Sequence, residues 1–209
     1  MVPHLTTYPS ESEDYDSRDN IVNFFVLKKQ GEGTIGRQKE LASFEAMMLP
    51  HMDAAHNLAR WLLRNDGDAE DVVQEAYLRA FKSFSGFHGA NGRPWLLTIV
   101  RNTAYTFLKK NHAADLTTSF DEEIHAADYE SPNPATLLEQ TEDAEVVRQA
   151  MNELPAEFRE ILVLRHLEGL SYKEIAEVAQ LAPGTVMSRL ARARGKLKEC
   201  LAGRIGKGI

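Results

Sequence analysis

The stretch SYKEIAEVAQLAPGTVMSRL at 171–190 constrains the fold of this chain more than any other. Ser171 is placed to cap a helix. Glu174, three residues on, can accept from the cap's own backbone N–H, which makes a capping box. Ile175, Ala176 and Ala179 then give that short helix one apolar face. The pattern breaks around Gln180–Ala182, and Pro183 suits the first position of a second helix, where its missing N–H leaves no bond unmade. In the second helix Val186, Leu190, Ala193 and Leu197 share a stripe, while Thr185, Ser188, Arg189 and Arg192 point away from it. Two short helices at a tight turn, with small polar and basic residues outside, describe a helix-turn-helix. On this stretch alone, a helical hairpin inside an ordinary all-α core is the alternative.

The first half of the chain also reads as helical. Phe44, Met47 and Met48 start a pattern that Pro50 can kink, and Leu58, Trp61 and Leu62 carry it on to Arg64. NDGD at 65–68 is a turn. Beyond it Ala69, Val72, Val73, Ala76, Tyr77, Ala80, Phe81 and Phe84 alternate steps of three and one, as an amphipathic helix requires. Its solvent face holds Asp71, Gln74, Glu75 and Lys82. A glycine-rich loop, SGFHGANGRP at 85–94, leads into WLLTIVRNTAYTFLKK. There Leu96, Ile99, Val100, Thr103 and Phe107 can face a core, with Arg101, Asn102, Lys109 and Lys110 outside. Such charges ordinarily form a solvated surface. An aromatic-rich loop beside a basic helix is also how proteins hold unstacked single strands.

Charge is distributed unevenly. The net charge of −7 hides a segment, 111–145, with no Lys or Arg against 10 Asp and Glu. The stretches 51–110 and 146–209 are mildly basic, at +2 and +4, and 1–50 stands at −3. Seven of the eleven cations after residue 145 lie between Arg189 and Lys207. This asymmetry suits nucleic-acid contact by the folded parts, with the acidic segment weakening DNA binding by the intact chain. The segment DLTTSFDEEIHAADYESPNP at 115–134, with two prolines and clustered carboxylates, reads as a linker. The first 35 or so residues behave similarly, except for IVNFFVLKKQ at 21–30, which could be a helix, a strand or a partner-binding element.

Composition and motifs exclude several classes. One cysteine, Cys200, allows no internal disulfide and no cysteine metal cluster, in keeping with a reducing cytoplasm. No run reaches the ~18 apolar residues of a membrane span, and the acidic N-terminus is unlike a secretory signal. His51 and His56 fall about 140° apart on a helix and cannot share a metal. His166 and Glu168 have no CxxC partner, and no GxxxxGK[ST] loop is present. The expectation is a non-enzyme with no cofactor, no metal and no small-molecule substrate. A helix-turn-helix regulator of the response-regulator type would share the C-terminal half, but 41–113 shows no strand periodicity.

The order of the pieces points further. DAEDVVQEAYLRAFKSF at 68–84, the loop, PWLLTIVRNTA at 94–104, an acidic linker and LPAEFREILVLRHLEGLSYKEIAEVAQLAPGTVMSRLARARGKL resemble the extracytoplasmic-function sigma factors of the sigma-70 superfamily. The resemblance covers 41–113 as sigma region 2 and 138–201 as sigma region 4. It implies an all-α protein: an N-terminal extension at 1–40, region 2 at 41–113, a linker at 114–137, region 4 at 138–203 and a tail at 204–209. The extension is longer than such proteins usually carry; short chains of this family lack the superfamily's central region 3, and the linker would stand in its place.

By this resemblance Glu70, Asp71, Gln74, Glu75 and Arg79 form the face that docks on the clamp helices of the largest polymerase subunit. The second-largest subunit would be met at its flap. The 85–94 loop with Phe87, then Trp95, Arg101 and Asn102, would melt the minus-10 promoter element and capture a flipped base, with Lys109 and Lys110 on nearby phosphates. Pro183, Thr185, Ser188, Arg189 and Arg192 would meet the minus-35 element. Tyr105-Thr106 departs from the family, in which many members carry an aliphatic residue followed by aspartate. An anti-sigma protein is the implied controlling partner.

Overall fold

In a computed structural model, residues 35–89, 91–117 and 142–205 are described. The Ile21–Leu27 patch, most of the acidic linker and the residues after 205 lie outside them. Among the described residues the secondary structure is helical, with no strand. Helix α1 (Ile35–Met48) ends where Pro50 removes a backbone donor, and a single tight turn (Leu49–His51) redirects the chain into α2 (Met52–Leu63). Arg64 closes α2 in the left-handed conformation, φ 62°. Asn65 then caps α3 (Asp66–Ser83): its Oδ1 accepts from the Asp68 N–H at 2.9 Å, and Asp66 and Asp68 lie in the first turn, where the helix dipole favours them. After a short turn (Phe84–Gly86), α4 runs from Gly92 to Thr117.

The first helical unit closes around Phe44, which meets Phe81, Phe84 and Tyr77 edge-on at 5.2–6.3 Å between ring centroids. The buried Tyr77 hydroxyl donates to the Met48 carbonyl at 2.9 Å, so this phenol is satisfied inside the core. Gly92 permits the close start of α4: a Cβ there would lie 3.0 Å from Met48 Cε and 3.1 Å from Met47 Cγ.

The second unit comprises α5 (Glu142–Asn152), α6 (Ala156–Leu162), a wide π turn (Val163–Leu167), α7 (Tyr172–Ala179) and α8 (Pro183–Ile205). Its core is Leu154, Ile161, Val163, Leu164, Ile175, Val178, Val186, Leu190 and Ala193. The capping box of α7 is complete. Glu174 N–H donates to Ser171 Oγ at 3.3 Å, and Ser171 N–H donates to Glu174 Oε2 at 2.8 Å. Gln180, left-handed at φ 55°, ends α7.

Three boundaries differ from the sequence-based expectation. Helix α1 begins at Ile35, inside the stretch expected as extension; α4 continues to Thr117, into the expected linker; and α8 continues to Ile205. Helical hydrogen bonding propagates cooperatively beyond the apolar pattern on which a sequence-based boundary rests. The two units also pack against each other. Helix α7 packs on α4 and α6 packs on α2, joining both cores into one hydrophobic cluster.

Candidate polymerase and promoter surfaces

The outward face of α3 is open. Glu70, Asp71, Gln74, Glu75 and Arg79 are all exposed, because the period of the buried positions Ala69, Val72, Val73, Ala76 and Ala80 leaves them on the far side. Arg79 Nε donates to Glu75 Oε1 at 2.7 Å, an i,i+4 pair in solvent. Asp71, Glu75 and Arg79 also form one wall of a shallow groove whose other wall is Thr103, Thr106, Phe107 and Lys110 of α4. The face is therefore carboxylate-rich at its centre and basic at its edge. Burial and the neighbouring Asp71 hold the Asp68 carboxyl above its ordinary pKa.

The loop before α4 is aromatic. Phe87 lies on Trp95 at 4.7 Å between centroids and stacks beside Phe84 at 6.3 Å, leaving Phe87 and Trp95 half-buried. Further along α4, Lys109 and Lys110 are exposed. Arg101 and Asn102 are not free in the same way. Arg101 Nε donates to Glu160 of α6, its Nη1 donates to Asn102 Oδ1 at 3.1 Å, and its guanidinium lies 4.6 Å over the Tyr105 ring. The Tyr105 hydroxyl donates to the second Glu160 oxygen at 2.8 Å. Glu160 is 1% exposed; burial raises its pKa against the pull of Arg101 and the Tyr105 hydrogen bond. Burial, reinforced by the Glu160 charge, raises the Tyr105 phenol too.

Similar contacts run along the whole seam. Arg93 pairs with the buried Glu168, which also accepts from Asn57 Nδ2 at 3.2 Å. Asn91 Nδ2 donates to Glu174 Oε1 at 3.1 Å, and Arg64 Nη2 donates to the Leu154 carbonyl at 3.2 Å. Arg159, 3% exposed, donates to the Trp61 carbonyl at 2.7 Å and the Leu62 carbonyl at 3.2 Å, and also to the Leu154 carbonyl. A cation thus sits at the C-terminal end of α2, where the dipole and the last carbonyls favour it. Sequence reasoning did not single out Arg93, Arg159 or Glu160. A signal for the last two existed: Arg159-Glu160 lies between Phe158 and the apolar run ILVL, so that a helix through them must bury charge.

On α8, Val186, Leu190 and Ala193 face the core. Pro183, Ser188 and Arg192 are exposed, whereas Thr185 and Arg189 are half-buried on the flank, with Arg189 close enough to favour the Glu160 charge. Among the described residues, no three His, Cys, Asp or Glu side chains gather as a metal site, and no helix is long and apolar enough to cross a membrane.

Comparison with known proteins supplies a frame for these surfaces. Residues 47–114 match the family model for sigma-70 region 2, and 144–197 match that for sigma-70 region 4. The ECF RNA polymerase sigma factor SigE of Mycolicibacterium smegmatis is 31% identical over 167 residues, covering 80% of this chain and 65% of that protein. The RNA polymerase sigma-H factor of Pseudomonas aeruginosa is 34% identical over 168 residues, 76% of this chain and 86% of the relative. The ECF RNA polymerase sigma-E factor of Escherichia coli is 36% identical over 136 residues, 61% of this chain and 71% of the relative. Among solved structures, the sigma factor RpoE in complex with the anti-sigma factor NepR from Bartonella quintana superposes with a TM-score of 0.61 at 32% identity, over 77% of this chain and 97% of that one. CnrH in complex with the cytosolic domain of CnrY shares the fold, with a TM-score of 0.56 at 23% identity over 90% and 99% of the two chains.

Proposed function

Because the chain belongs to the extracytoplasmic-function sigma factors of the sigma-70 superfamily, we propose that it joins core RNA polymerase in the bacterial cytoplasm and directs it to promoters through two DNA contacts. The observation that carries this reading is the association, in family order, of an open carboxylate-faced helix, an aromatic loop leading into a basic helix, and a capped helix-turn-helix. Glu70, Asp71, Gln74, Glu75 and Arg79 on α3 dock on the clamp helices of the largest subunit, where exposed carboxylates meet basic side chains. The second unit lies at the flap of the second-largest subunit. There α8 enters the major groove of the minus-35 element with its first turns forward, using Pro183, Thr185, Ser188, Arg189 and Arg192.

Opening of the minus-10 element falls to Phe87, Trp95, Arg101 and Asn102, with Lys109 and Lys110 on phosphates. Unstacking a base costs a few kcal/mol, offset by an aromatic pocket and backbone contacts. In the packed arrangement the Arg101 guanidinium is held by Glu160, so on this reading α6 must leave α4 before single-stranded DNA can take its place. The similar sigma factor RpoE has been crystallised with the anti-sigma factor NepR, and the same kind of partner is proposed to control this chain. The chain itself makes and breaks no covalent bond; nucleotide addition belongs to polymerase. Run-off transcription with purified core polymerase on a promoter library tests the reading. A product dependent on both chain and promoter is expected, and its absence on every template would count against initiation.

A further inference from the structure

Met187 is 59% exposed, the most exposed large apolar side chain among those described. It is the fifth residue of α8, in the part of a recognition helix that meets base edges. Its neighbours along the same helix row, Gly184 three residues before and Ala191 four residues after, are exposed and short, and nothing lies within 4 Å of where a Gly184 Cβ would be. Met187 therefore stands above a low surface that a groove wall can approach closely. The polar residues Ser188 and Arg192 are exposed on the same helix, while Thr185 and Arg189 are half-buried.

A thioether donates no hydrogen bond and accepts only weakly, so it gains nothing from a phosphate and little from the polar base edges. One group in the major groove is apolar, the C5-methyl of thymine, and side chains read it by apolar contact. We infer that Met187 is a specificity-determining residue that selects a thymine in the minus-35 element by packing against its C5-methyl. The inference rests on α8 being the minus-35 reader, as proposed above. The flexible, polarizable Met side chain suits such a contact, since it adapts to a small apolar target without a fixed rotamer.

The experiment uses the full chain assembled with core polymerase on a promoter selected by run-off transcription. Each thymine of the minus-35 element is replaced singly by uracil, which removes only the methyl. At one position the replacement is expected to weaken holoenzyme binding by about fourfold, the worth of roughly one buried methylene. Met187→Ala should abolish that penalty at that position and leave the others unchanged. Alanine at an exposed helix position leaves folding intact, and thermal melting checks it. The inference is overturned if the selected element contains no thymine, if no uracil replacement matters, or if the penalties persist in Met187→Ala. It is also overturned if Met187→Ala weakens core-polymerase binding without DNA, which would make Met187 a protein contact. These failures differ from failure of the initiation reading, which would show as no promoter-dependent transcript from the unaltered chain.

Discussion

Helices α3 and α4 lie side by side and carry the two charged faces of the first unit, yet they are treated in opposite ways. On α3 the carboxylates of the outward face, Glu70, Asp71 and Glu75, are exposed, and the Glu75–Arg79 ion pair there is about 45% exposed at both ends. On α4, Arg93 and Arg101 are engaged by carboxylates of the second unit that are themselves 5% and 1% exposed. An exposed pair contributes little to stability, because water screens it and two long side chains must be ordered. A buried pair need not add net stability either, but removing one partner strands the other and is strongly destabilising. The surface proposed to meet polymerase is thus exposed to solvent in the packed chain, whereas the surface proposed to open DNA helps hold the two units together.

The comparison can be broken most severely at Arg159. Arg159→Ala leaves the Trp61, Leu62 and Leu154 carbonyls without this donor and opens a hole in a seam shared by both units. Loss of charge-assisted bonds together with packing should cost about 3–5 kcal/mol in denaturant unfolding. A loss below about 1 kcal/mol would show that the seam contributes little to the fold. Next comes Arg101→Ala, which leaves the buried Glu160 with Tyr105 as its remaining hydrogen-bond donor. About 3 kcal/mol is expected, and the units should separate, visible as a larger radius of gyration in small-angle scattering. A double-mutant cycle with Glu160→Gln should recover much of the loss, since a neutral amide needs no counter-charge. The smallest effect on folding belongs to Glu75→Ala, about 0.3–0.5 kcal/mol, with the radius unchanged. The same variant should nevertheless weaken core-polymerase binding several-fold in a titration, and unaltered affinity would remove Glu75 from the docking face.

Much of the fold was legible because it rests on local periodicity. Of the face Ala69, Val72, Val73, Ala76, Tyr77, Ala80, Phe81 and Phe84, the first six are buried together and the two phenylalanines are half-buried against the same core. On α4 the reading was less complete: Leu96, Val100 and Thr103 are buried as expected, but Leu97 and Ala104 are buried too, while Ile99 and Phe107 are half-exposed. The reason is that α4 is covered on two sides, by α2 and α3 and again by α7, so a single stripe could not describe it. For the candidate surfaces, sequence placed Asp71, Gln74 and Glu75 outside, and they are exposed. It also placed Arg101 and Asn102 outside, and these lie half-buried under the second unit. The departure at Tyr105 has a structural counterpart, since its hydroxyl completes the shell of Glu160.

What the chain determines by itself is the set of signals written within one or two helical turns. These are the Ser171–Glu174 capping box, the break at Pro50 and the outward positions of Ser188 and Arg192 on α8. Each depends on residues a few positions apart, so spacing alone specifies it. Tertiary structure decided the pairing of Arg101 with Glu160 and of Arg159 with the end of α2, across 59 and 98 residues of sequence. No local pattern encodes such a partner, because the choice is made by how the helices pack. A charge that reads as solvated on an isolated helix is stable inside only when the fold brings an opposite charge or a row of carbonyls to it.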